Sequence, residues 1–181
     1  MNEHFKEAEA AYNLISKSNI DMINIWLKHV LFSWRWWLGV ALTFIPWILW
    51  IKFRKKESTS RLLFVGFFVI LICSWLDLMG ILFGLWSYYF NVVPFSPAFL
   101  PWDFTLLPVT IMFLLQIKPQ ISPIIKAIGF SIFSSFMAEP FFTWIETYNP
   151  KHWRYIYSFP IVIVIYLVSD WLSKRVNFEK L

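Results

Sequence analysis

Apolar residues run along this chain in long blocks separated by short polar stretches. Five blocks stand out, at 34–51, 62–86, 102–117, 121–145 and 155–172. Each approaches the roughly 20 residues that an α-helix needs to cross a bilayer. Backbone groups in lipid must be paired within their own segment, so the blocks predict helices. The short alternating segments of a membrane β-barrel are not seen. Residues 1–33 have another pattern. Phe5, Ala8, Tyr12 and Ile15 recur at helical spacing. After Ser18 and Asn19, an expected N-cap, a second stripe is made by Met22, Ile23, Trp26, Leu27 and Val30. This predicts amphipathic helices that lie in the membrane interface or pack on the bundle. The expected fold is all-α: a polytopic transmembrane helical bundle of about five spans at 34–173, with an amphipathic N-terminal segment at 1–33 and a cytoplasmic tail at 174–181. No internal repeat is evident.

Composition strengthens the membrane reading. The 181 residues are 59% hydrophobic and 15% charged and include twelve Trp and twenty Phe, whereas soluble domains carry about 25% charged residues. The net charge of +5 does not point to nucleic acid, because the basic residues cluster beside apolar blocks. Lys52, Arg54, Lys55, Lys56 and Arg61 separate the first two blocks, Lys118 and Lys126 flank the turn between the third and fourth, and Lys174, Arg175 and Lys180 come after the fifth. Five spans place these clusters on one side, which the positive-inside rule assigns to the cytoplasm. The N-terminus is then outside and the protein is a multi-pass protein of the cell membrane. Lys151, His152 and Arg154 in the last outer loop are the contrary signal. Trp34, Trp36, Trp37, Trp86, Trp102, Trp144 and Trp153 are expected in an outer interfacial belt, and Trp47, Trp50 and Trp171 in an inner one. Glu3, Glu7 and Glu9 stand where a secretory signal would be basic. Cys73 is the only cysteine, so no internal disulfide forms.

Three acids inside the apolar blocks change the picture: Asp77, Asp103 and Glu139. A carboxylate in hydrocarbon needs a partner, a proton or water. The predicted topology puts all three toward the same face, which predicts one polar pocket with Asp77 and Glu139 at its core and Asp103 at its rim. Asp77, Gly80 and Gly84 share a helix face, and the two glycines form a GxxxG pair suited to close helix contact. The alternative for Asp77 is a structural hydrogen bond between helices. Asp103 comes directly after Pro101-Trp102, where an Asp also serves the free N–H groups of a first helical turn, and Pro108 is expected to kink that helix. Ser131, Ser135 and Glu139 repeat every four residues and predict a polar wall ending at a break before Pro140; the alternative is a small-residue helix interface.

The stretch with Tyr88, Tyr89, Phe90, Pro94, Phe95, Pro97, Phe99 and Pro101 is uncharged, aromatic and stiff, and reads as a turn or a cap over a cavity. Trp86, Tyr88, Trp102 and Trp144 are candidate lining residues. Lys151, His152 and Arg154 are candidate contacts to an anionic headgroup or, more simply, interfacial anchors. Asp170 and Lys174 are spaced for an ion pair. Phosphate loops, the zinc motif HExxH and the GxSxG elbow are not found. Three carboxylates without His or Cys suit a hard cation or protons.

Trp75-x-Asp77, Gly84-x-Trp86-x-Tyr88, Pro101-Trp102-Asp103-Phe104, Glu139-Pro140-x-x-x-Trp144 and Tyr157-Ser158-Phe159-Pro160 resemble an uncharacterised family of small five-helix membrane proteins of spore-forming bacteria. The resemblance covers 62–172 and implies the topology, with no activity attached. Residues 75–104 also resemble membrane lycopene cyclases, which have a Trp-Asp, then Gly-x-Trp-x-aromatic, then Pro-x-Glu-Glu at a helix start. Here Trp75 is offset by one and Phe104 replaces the second acid. Three functions are compatible with these residues. The first is a membrane protein whose acidic, outward-facing pocket binds a small cation, a proton or a lipid-like amphiphile. The second is an isoprenoid- or carotenoid-modifying enzyme with Asp103 or Glu139 as proton donor. The third is a non-catalytic scaffold. The sequence leaves cofactors, oligomeric state and partners other than the lipid bilayer open.

Overall fold

The computed structural model describes residues 2–95 and 98–175. Pro97 of the aromatic loop and the tail after Arg175, with Lys180, lie outside the described residues. The described residues form seven α-helices: α1 (Glu3–Ile25), α2 (Trp34–Phe53), α3 (Thr59–Leu82), α4 (Leu107–Gln116), α5 (Pro123–Phe133), α6 (Glu139–Trp144) and α7 (Tyr155–Arg175). Two-residue strands β1 (Ser87–Tyr88) and β2 (Tyr148–Asn149) pair antiparallel.

Four helical stretches are long and apolar enough to cross a membrane: Trp34–Phe53, Lys56–Leu82, Pro123–Trp144 and Tyr155–Arg175. The third predicted span is shorter. It runs over Trp102–Gln116, and those 15 residues rise only about 22 Å. It nevertheless crosses the bundle. Asp103 at its start meets the C-terminal part of α3. Gln116 at its end takes the Lys55 amide and donates to the Phe53 carbonyl, beyond the α2 C-terminus. The five apolar segments thus alternate in direction. Four of them share a core that joins Val65, Val69 and Cys73 of α3, Ile111 of α4, Phe130 of α5 and Ile165 of α7.

Local chemistry explains the departures from regular helices. The chain forms π turns at Trp26–Val30, Trp102–Leu106 and Ser134–Ala138. Pro108 has no N–H to give the Phe104 carbonyl four residues earlier. The Trp47 indole of α2 donates to that carbonyl instead, at 3.0 Å, so the kink is absorbed by a neighbouring helix. Thr105 likewise donates to the Thr43 carbonyl at 3.0 Å, three residues before Pro46 of α2. Glu139-Pro140 does not break its helix as expected. Pro140 falls in the first turn of α6, where an amide donor is dispensable, and the π turn links α5 to α6 as one span.

The N-terminal expectation needs correction. Ser18 and Asn19 do not cap a second helix, because α1 runs through both without Gly or Pro to stop it. It buries no residue against the bundle. Trp50, expected in an inner belt, is 2% exposed and packs with Leu62, Val109 and Met112. The Asp170–Lys174 ion pair forms at 2.6 Å.

Candidate functional site: an acid-lined cavity between α3, α6 and α7

A cavity of about 250 Å³ lies between the C-terminal part of α3 and the N-terminal part of α7, next to the core they share. Asp77, Asp103 and Glu139 all line it. Each is delivered by a different segment, and two come from irregular turns: Asp103 lies within the π turn at Trp102–Leu106, and Glu139 comes directly after the one at Ser134–Ala138. Such turns re-aim side chains and recur at functional sites.

Asp77 is 4% exposed and is the hub. Its Oδ1 accepts from the Trp86 indole at 2.6 Å and from the Tyr88 hydroxyl at 2.9 Å. Its Oδ2 accepts from the Phe99 amide at 2.9 Å. Those donors all belong to the loop after α3, so one carboxyl holds that loop down as the cavity roof. Phe99 also donates to Asp103 Oδ2 at 3.1 Å, while its carbonyl accepts from the Asp103 amide. Asp103 therefore closes its own first helical turn by reaching back one turn. The two carboxyl groups lie within hydrogen-bonding reach of each other. Burial, reinforced by the Asp77 and Asp103 carboxyls, holds the Tyr88 phenol well above its ordinary range, so it remains a donor.

The roles expected of the acids are therefore exchanged. Asp103 is not a rim acid; at 3% exposure it is as deep as Asp77, because the roof loop folds over both. Glu139 is only half-buried and its Oε2 has no hydrogen-bond partner. It is the acid with capacity to spare.

Gly80 and Gly84 do not form a helix–helix contact. A methyl at Gly80 would sit 1.9 Å from Trp86 Cζ2, so the missing side chain is the berth of the indole that reaches Asp77. Gly84 takes φ +68°. Its amide donates to Ile81 and the Leu85 amide to Gly80, the Schellman arrangement that ends a helix. This stops α3 at Leu82, four residues before the predicted end, and turns Trp86 back over it.

Other expected lining residues separate into two groups. Trp86, Tyr88 and Trp102 line the cavity. Ser131 and Ser135 do not: with Ser134 they are fully buried deeper in the bundle, where α5 and the π turn after it pack directly along α7 and small residues permit close approach. Trp144 points outward, 78% exposed. Lys151, His152 and Arg154 are exposed and outside the cavity. Their loop is tied to the cavity roof by backbone, through β1–β2 pairing and the His152 amide on Leu85.

Five further aromatics line the cavity that were not among the candidate lining residues: Phe83, Phe99, Phe142, Tyr148 and Trp153. Tyr88 and Phe99 stack with centroids 4.7 Å apart, and Trp86 meets Trp153 edge-on at 4.9 Å. The aromatic richness of both loops was the only available signal. Among the described residues, no three His, Cys, Asp or Glu side chains converge to hold a metal ion.

No protein-family model, curated protein or solved structure matches this chain. Fold and composition define a helical bundle of the multi-pass membrane type, and this cavity combines acids with aromatic rings.

Proposed function

We propose that the cavity is a binding site for an amphiphile with a positively charged, ammonium-type head, entering sideways from the lipid. Two features favour an apolar tail. The rim carries Leu76, Met79 and Phe83 of α3, and Phe83 is 75% exposed. The mouth therefore lies on the hydrocarbon-facing side of the bundle rather than in a charged loop. Two features favour a cationic head. The lining has carboxyl groups and no Lys, Arg or His, and a cleft of one sign concentrates the opposite charge. The ring faces of Trp86, Trp102 and Trp153 add cation–π attraction. The observation that carries the reading is the unpartnered Oε2 of Glu139 near Asp77, whose two oxygens are both engaged. In this reading the bundle sits in the cell membrane with the cavity end outward, as the basic clusters at the opposite end imply.

The test uses full-length protein in nanodiscs and monitors tryptophan emission during titration with decylammonium or, separately, decanol. Decylammonium is expected to bind more tightly. Glu139→Gln is expected to weaken it by roughly tenfold or more, the range of a charge-assisted hydrogen bond, and to leave decanol binding unchanged. Equal binding of the two probes, or an unaffected Glu139→Gln variant, sinks the reading.

A second reading rests on the paired acids. Phe104 stands where the lycopene cyclases resembled by 75–104 have a second acid, but Asp77 of α3 comes within reach of Asp103 in its place. A proton passing from Asp103 to an alkene carbon and returning to a carboxylate after ring closure is a net isomerisation, with aromatic faces steadying the carbocation. Incubation with linear carotenoid should then yield a cyclic isomer by chromatography and mass spectrometry, lost in Asp103→Asn. Absence of such a product removes this reading.

A further inference from the structure

At the opposite end of the bundle, three segments distant in sequence enclose a second cleft of about 250 Å³. Lys55, Arg61, Lys126 and Lys174 line it, with Gln116 and a single carboxylate, Asp170. The positive charge is unevenly engaged. Lys174 is paired with Asp170. Lys126 donates to the Leu114 and Ile117 carbonyls at 2.7 and 2.6 Å, closing the C-terminal turn of α4. Gln116 ties the Lys55 amide to the end of α2. The Lys55 ammonium and Arg61 guanidinium have no hydrogen-bond or ion-pair partner among the described residues.

One helix N-terminus opens at the same place. Pro123 at the α5 start lines the cleft, and that helix has no side-chain cap. Uncapped amides and the positive end of the helix dipole favour an anion. Unpaired cations and this helix end converge on one hollow beside apolar helices, at the level where lipid headgroups lie if those helices span the membrane. Basic pockets between membrane helices hold anionic headgroups for these reasons.

We propose that this cleft binds the phosphate group of an anionic lipid, with Arg61 as its bidentate partner and Lys55 as a second charge. The site is separate from the acid-lined cavity and does not depend on what that cavity binds.

The experiment is native mass spectrometry of the full chain, counting phosphatidylglycerol and phosphatidylcholine retained from mixed nanodiscs. Wild-type protein is expected to retain phosphatidylglycerol preferentially. The double variant Lys55→Gln with Arg61→Gln is expected to lose roughly tenfold or more of that preference, since each basic group near a charged surface is worth about fivefold. Both side chains are exposed, so folding should be unaffected, and helicity by circular dichroism verifies it. Glu139→Gln should leave the preference intact. Equal retention of the two lipids by wild-type protein, or an intact preference in the double variant, overturns the proposal. Inorganic phosphate that binds without anionic lipid, and fails to bind the double variant, reassigns the cleft to a soluble phosphate compound and overturns the lipid assignment.

Discussion

Asp77→Ala is expected to destabilise the bundle by about 3 kcal/mol or more, because each buried donor left without an acceptor costs about 1–3 kcal/mol. The variant orphans the Trp86 indole, the Tyr88 hydroxyl and one acceptor of the Phe99 amide at once. Phe99 keeps Asp103, so the loss falls mostly on Trp86 and Tyr88. The loop between α3 and Trp102 should loosen as a unit, with Trp86 and Trp102 emission shifting toward that of wetter indoles. Asp77→Asn retains an acceptor oxygen but turns an amide donor toward one of the existing donors, so an intermediate loss is expected. The measurement is equilibrium unfolding of the detergent-solubilised protein. A loss below about 1 kcal/mol, the net worth of a single ordinary hydrogen bond, would mean that the roof is held by its apolar packing alone.

The second large effect is a change of sign. In an ordinary helix interior Gly→Ala stabilises by about 1 kcal/mol. Gly80→Ala is expected to destabilise by about 1–3 kcal/mol, the usual range for overpacking, because its methyl would lie 1.9 Å from the Trp86 ring. The indole must move, and its 2.6 Å bond to Asp77 goes with it. The contact also predicts coupling: with Trp86→Ala already in place, Gly80→Ala should be neutral or stabilising. A double-mutant cycle reads this directly. Gly80→Ala that stabilises the otherwise unaltered protein would place Trp86 elsewhere.

These two substitutions mark where residue patterns stop informing. Asp77, Gly80 and Gly84 were legible as one face; Asp77 and Gly80 do point inward, while Gly84 lies beyond the end of the helix. What fills it was not legible. GxxxG is read as a helix docking surface because small residues admit a backbone, yet the occupant here is an indole from the same chain, returned by a glycine at φ +68°. Asp103 was legible as a first-turn acceptor and serves as one, through Phe99. Its depth and its pairing with Asp77 depend on the roof loop and could not be read from either segment alone. Ser131 and Ser135 were aligned with Glu139 by counting in fours. They lie deeper in the bundle, where the helices already touch, and the π turn that contains Ser135 comes between Ser131 and the acid. Such a turn adds a residue and rotates the rest of the helix by roughly 100°.

By itself the sequence determined that this chain is helical and built for a bilayer, since uninterrupted apolar length and unpaired backbone chemistry leave no other form. It also determined that three acids lie near one end and most of the basic residues near the other, because successive segments reverse direction and depth is set by position along each. Only the tertiary structure decided that Asp77 has both oxygens engaged while Glu139 keeps one unpartnered, that a glycine houses a tryptophan, and that Lys55 and Arg61 face one cleft with the start of α5. Depth is a one-dimensional property that a chain carries in its order. Rotation about each helix, and the partners it brings within 3 Å, arise only when all the helices are packed together.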